Sequence, residues 1–144
     1  MTPDLQHWLS EQGFPSHDIH ARLDNNTTAL MRAARLGDST QVIALLDAGA
    51  DVLAYNNDGN TALWLACFSD DAPTVAALIA HGARLDHQND NGATCLMYAA
   101  SASKTDITQQ LIEAGATLQL QSLDGFTALD MAGNIECVNL LRQR

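Results

Sequence analysis

The apolar positions of this chain come in short blocks, and the blocks recur. Leu30, Leu63, Leu96 and Leu129 stand 33 residues apart, and Ala33, Ala66, Ala99 and Ala132 keep the same step. A fixed period of this length marks a repeat architecture, in which each unit buries its apolar face only against its neighbours. Thr28, Thr61, Thr94 and Thr127 each precede such a block, for instance Ala62-Leu-Trp-Leu-Ala-Cys-Phe. A threonine hydroxyl placed there accepts an orphan N–H of a helix's first turn, so each block is predicted to open a short helix. A second helix is predicted from about Ser39 to Ala48, with Val42, Leu45 and Leu46 at i, i+3 and i+4 and Gly49 as its left-handed cap. Val75, Leu78, Ile79 and Gly82 repeat it, as do Ile107, Leu111, Ile112 and Gly115. Asn57-Asp58-Gly59, Asp90-Asn91-Gly92 and Leu123-Asp124-Gly125 then supply tight reversals between successive helix pairs.

The two ends depart from the period. Thr2 is placed to cap, and Pro3 to begin, a helix bearing Leu5, Trp8 and Leu9 and ended by Gly13, whose apolar stripe should cover the first repeat. Residues 14–24, with Pro15 and an Ile19/Leu23 pair, are predicted to form a short helix or loop. The last unit is about three or four residues short between its helices and has no following Gly-Ala, the expectation for a terminal capping unit. The organisation expected is a capping segment over 1–24, full units over 25–57, 58–90 and 91–123, and a shortened unit over 124–144.

Composition sharpens this reading. Of 67 apolar residues 43 are Ala or Leu and only seven are aromatic, which favours many small contacts between helices over a β-sandwich. Seventeen acids against seven bases give a net charge of −10, which repels nucleic acid and anionic lipid. With no apolar run of membrane-spanning length, and a start without a cationic or apolar leader, a cytoplasmic protein is expected, with no membrane partner. Cys67, Cys95 and Cys137 form no C-x-x-C and read as buried free thiols.

The unit Asp58-Gly-Asn-Thr-Ala-Leu-Trp-Leu-Ala, followed by Leu78-Ile-Ala-His-Gly-Ala83, resembles the ankyrin repeat, and the resemblance extends over residues 25–144. It implies an all-α repeat fold, an ankyrin solenoid of helix-turn-helix units with projecting β-hairpin turns, flanked by the N-terminal capping helix and the shortened C-terminal repeat. The family's Thr-Pro-Leu-His is altered: Met31, Trp64, Met97 and Asp130 stand where it has histidine. In three units, apolar contact is expected to replace that histidine's hydrogen bonds. The family's glycine between the helices survives only as Gly37, with Asp70 and Ser103 in its place, so a different backbone is expected at those turns. Asp71 remains placed to cap the second helix of its unit, with Pro73 tolerated in the first turn.

Function in this family is recognition. The resemblance places partner contacts on the concave side, in the turns at Asn57, Asp58, Asn60, Asp90, Asn91, Ala93, Leu123, Asp124 and Phe126. On the first helices it places them at Arg32, Arg35, Leu36, Leu65, Phe68, Ser69, Tyr98, Ser101 and Ala102. Leu65, Phe68 and Tyr98 read as an aromatic hot spot or, alternatively, as inter-repeat packing; Arg32 and Arg35 read as receptors for a partner's carboxylate or as balance for local acids. Trp64 is expected to pack between repeats.

The expected function is a protein–protein interaction module, an adaptor, inhibitor or stabilising subunit, that binds a folded protein. The acidity favours a partner with a basic patch. A monomer is expected, with a homodimer through the Leu65/Phe68/Tyr98 patch as the alternative. A third reading is a metal or ligand sensor at His7, His17 and His20, but these offer too few convergent ligands for zinc, and no cofactor is expected. The recurrent tip carboxylates, one per loop, do not make a calcium cage. No nucleophile elbow, phosphate loop or paired zinc motif occurs, so no enzyme is expected.

Overall fold

A computed structural model describes residues 1–142; Gln143 and Arg144, the end of the expected fourth unit, lie outside the described residues. The chain divides into two compact units, Met1–Ala83 and Arg84–Arg144.

The first unit begins with α1 (Pro3–Glu11), whose N-cap Thr2 accepts from the Leu5 N–H and whose first position is Pro3. Proline fits there because its missing N–H would be unpaired in any case. Leu5, Trp8 and Leu9 are buried along one stripe, and α1 packs on α3 (Ser39–Asp47). Of the two expected alternatives for this segment, residues 14–21 form the loop. Phe14 and Ile19 are buried from a loop, and the chain then enters a small hairpin of β1 (Arg22–Leu23) and β2 (Thr27–Thr28) around a 3-10 turn, Asp24–Asn26. Arg22 pairs with Thr28 and Leu23 with Thr27, antiparallel. Next come α2 (Ala29–Leu36) and α3, then α4 (Ala62–Ser69) and α5 (Ala72–Ala80), with α2 on α4 and α3 on α5. The second unit repeats the plan with α6 (Cys95–Ser101), α7 (Thr105–Glu113), α8 (Ala128–Met131) and α9 (Ile135–Arg142), α6 lying on α8 and α7 on α9.

The threonine caps form as expected in three places: Thr28, Thr94 and Thr127 accept from the backbone N–H of Met31, Met97 and Asp130. The same three residues return the bond, since the Met31 and Met97 sulfurs and the Asp130 carboxylate accept from the N–H of the capping threonine. Thr61 makes no side-chain cap bond, a correction to the expectation drawn for all four. Its partner position holds Trp64, whose indole donates but offers no acceptor for a reciprocal box.

The Gly-Ala pairs end the second helices. Ala50, Ala83 and Ala116 donate to Leu45, Leu78 and Leu111, while Gly49, Gly82 and Gly115 donate to Leu46, Ile79 and Ile112, a double closure of the last turn.

At the inter-helix turns the expectation of a changed backbone is overturned. Asp70 and Ser103 take φ of 62° and 60°, beside 68° for Gly37. The tight connection dictates the left-handed conformation whatever residue stands there, and a side chain makes it costly by about 1–2 kcal/mol. Ser103→Gly is therefore expected to stabilise the protein by about 0.5–1 kcal/mol once the greater freedom of unfolded glycine is subtracted. Urea denaturation measures this, and a lower midpoint in the variant would show that the serine contributes more than its strain.

The apolar columns are largely buried as expected, with two departures that bear on packing. Thr108, not Ile107, occupies the position of Val42 and Val75; both Ile107 and Thr108 are buried, and the thiol of Cys137 donates to the Thr108 hydroxyl at 3.7 Å. Leu129 is 37% exposed, whereas Leu30 and Leu96 are each 1% exposed. Leu30 and Leu96 lie on helices packed against a following first helix, α4 and α8, whereas α8 packs on α6 and α9 with no later first helix among the described residues. The short α8–α9 connection is held by Gly133, whose N–H donates to Ala100 O and whose Cα sits where a Cβ would come within 2.7 Å of Ser101 O.

Candidate protein-binding surface

The hairpins position the fingertip residues, and the bonds that shape them come from a column the sequence pattern does not advertise. Asn56 Oδ1 accepts from the N–H of Asp58 and Asn60, Asn89 Oδ1 accepts from those of Asn91 and Ala93, and Ser122 Oγ accepts from that of Phe126. The signal was present as Asn56, Asn89 and Ser122 at the 33-residue step, just ahead of the more conspicuous turn residues. Each turn closes with the glycine N–H bonded to this residue's carbonyl, so glycine follows the two central residues.

Successive hairpins are also tied edge to edge within each unit. The Asn57 N–H donates to Asn25 O at 3.1 Å and the Leu123 N–H to Asn91 O at 3.0 Å. Arg22 Nη1 bridges Asn26 O and Tyr55 O; Gln88 Nε2 bridges Gly92 O and Gln121 O. Asp58 accepts from Asn25 Nδ2 at 3.1 Å, so this expected contact residue already serves its neighbour. These bonds hold the tips in a fixed register from which their side chains project.

In the Met1–Ala83 unit, Asn57, Asp58, Arg35, Leu36 and Phe68 are exposed, while Arg32, Asn60, Leu65 and Ser69 are half-buried. Ser69 is engaged internally, its hydroxyl donating to Ala34 O and Ala66 O. Trp64 is half-buried at the head of α4. A groove of about 370 Å3 brings Arg32, Arg35, Leu36 and Leu65 together with Asn25 and Gln12. Arg35 stacks over the Phe68 ring at 5.1 Å, and Arg32 over Phe14 at 5.8 Å. Neither stacking partner was foreseen, because Phe14 lies in an irregular segment and Phe68 one repeat away in sequence.

In the Arg84–Arg144 unit, Asp90, Asn91, Ser101, Ala102, Leu123, Asp124 and Phe126 are exposed, and Ala93 and Tyr98 are half-buried. Leu123 and Phe126 are 77% and 51% exposed, flanking Asp124 at one tip.

A family model described as "Ankyrin repeats (3 copies)" matches the chain over residues 3–89 and again over 70–144. The chain belongs to the ankyrin repeat family. No curated protein matches it. Ankyrin repeats are generally protein–protein interaction modules. Ankyrin histidines are replaced here by Met31 and Met97, which are both 1% exposed and keep the capping bond through sulfur.

Other chemistries find less in this ankyrin chain. His7 pairs with Glu11 at 2.8 Å and His17 Nδ1 faces Gln6 Nε2 at 3.3 Å. Among the described residues no group of three or more His, Cys, Asp or Glu side chains could hold a metal ion, and no helix is long and apolar enough to cross a membrane.

Proposed function

We propose that this ankyrin-repeat protein works by occupancy, as an adaptor, inhibitor or stabilising subunit that holds one folded protein partner. Its principal contact face in the Met1–Ala83 unit is formed by the outer sides of α2 and α4 with the Asn57–Asn60 tip. One observation carries this reading: Leu36 and Phe68, 56% and 48% exposed, stand beside the arginine-lined groove. Large apolar side chains ringed by polar groups are the usual composition of a binding hot spot. In the Arg84–Arg144 unit the corresponding contacts are Asp90, Asn91, Tyr98, Ser101, Asp124 and Phe126. The net charge of −10 favours a partner that carries a basic patch. The three cysteines, buried as thiols, accord with a reducing, cytoplasmic compartment.

Site-specific photocrosslinking tests the face. A benzophenone side chain at position 68 is expected to capture a protein from the native extract, and one at Ile43, exposed on α3, is not. Equal capture from both positions, or capture from Ile43 alone, would place the contact elsewhere.

A further inference from the structure

Two cations face the groove of the first unit without an acid to neutralise them. Arg32 and Arg35 lie at i and i+3 on α2, and no carboxylate oxygen of the described residues comes within 4.0 Å of either guanidinium. Like charges so placed on a helix repel each other. Each has an aromatic neighbour: the Arg35 guanidinium lies 5.1 Å from the centre of the Phe68 ring, and that of Arg32 lies 5.8 Å from the centre of Phe14 while one of its N–H groups reaches Gln12 Oε1 at 3.4 Å. A guanidinium held near an aromatic ring by its charge keeps N–H donors available to a ligand. These contacts reduce the rotamer entropy lost when arginine grips a ligand. The pair is thus a preorganised receptor for a planar anion, and a carboxylate matches the donor fork in a bidentate way.

We propose that the groove takes an acidic segment of the protein partner, seating an Asp or Glu side chain between Arg32 and Arg35 and an adjacent apolar side chain on Leu36 and Leu65. This rests on the docking face given above and names what that face selects. Charge complementarity argues for this occupant against the sign of the whole molecule. At physiological salt the field of acids farther than about 8 Å is largely screened, and the nearer Asp58 is hydrogen-bonded to Asn25, whereas a carboxylate in the groove contacts the guanidiniums directly. The long-range field and the contact subsite therefore act on different parts of the same partner.

Selection from a random-peptide display library on the intact protein, followed by fluorescence anisotropy on amidated synthetic peptides, tests the proposal. Selected peptides are expected to share an Asp or Glu next to a Leu, Ile, Met or Phe. Replacing that acid by its amide should weaken binding about tenfold. Against a R32Q/R35Q variant, acid and amide peptides should bind equally within about twofold. The comparison between the two peptides needs no variant, so it stands even if the double substitution unfolds the chain. Peptides that bind without an acid, yet lose binding to Leu36→Ala/Phe68→Ala, would overturn the carboxylate subsite and leave the docking face. Peptides insensitive to every substitution would overturn both. A requirement for a free peptide C-terminus, or a library that yields no binder, would also overturn the proposal.

Discussion

Trp8→Ala is expected to destabilise the protein by about 3–5 kcal/mol, the cost of deleting a buried indole from a close-packed contact. Trp8 is 7% exposed and shares its stripe with Leu5 and Leu9, at 1% and 0%. These three side chains are the whole buried face of α1, which packs on α3. A helix of nine residues is too short to persist in water by its own propensity. Removing its largest anchor should therefore release α1 as well as leave a cavity, uncovering the α3 surface beneath it. For a chain of this length the melting temperature should fall by about 10 °C or more. Circular dichroism melts and urea titrations on both proteins decide the matter, and a loss below about 1 kcal/mol would mean that α1 is not an essential cover.

Gly92→Ala is expected to cost about 2–4 kcal/mol, and a built-in control separates the two causes. Gly92 has φ of +72°, and a Cβ there would come within 2.8 Å of Leu123 N and 3.2 Å of Ser122 C, both backbone atoms of the next hairpin. That same Leu123 N–H donates to Asn91 O, so the methyl group would push apart the rung it stands beside. Gly125, one repeat later, has φ of +85° and open space around it, with nothing within 4 Å of where a methyl group would sit. Gly125→Ala should then show only the left-handed penalty of about 1–2 kcal/mol. Urea midpoints for the pair measure the difference, which is the steric part. Equal losses would show that close approach of neighbouring hairpins contributes nothing to stability.

The repeating frame was legible because its physics is local. A threonine hydroxyl, an i, i+3, i+4 stripe and a Gly-Ala pair each act within one or two turns of backbone, so Thr28, Val42, Leu45 and Gly49 announce their element without any neighbour. What escaped depends on residues a repeat apart. Asn56 reads as one more polar turn residue until its side-chain oxygen is seen accepting two backbone N–H groups. Asp70 and Ser103 read as disruptions of a glycine turn, but the packing of the helices on either side imposes the turn on them. Leu129 reads as core because the column says so, and its exposure goes with the lack of a later first helix packed on α8 among the described residues. The candidate site was legible as positions and not as chemistry. The tips and first-helix residues could be named by resemblance, whereas the stacking of Arg35 on Phe68 joins α2 to α4 across a whole repeat and carries no periodic signature.

The sealed thiols have a practical consequence. Cys67 lies in α4, Cys95 at the head of α6 and Cys137 in α9, with 0%, 2% and 0% of their surfaces exposed. An alkylating reagent can reach each sulfur only after the helices around it separate, so labelling rates record how often each part of the chain opens. One unmutated protein thus carries three chronometers: one in the Met1–Ala83 unit and two in the Arg84–Arg144 unit, at the opening helix and at the last.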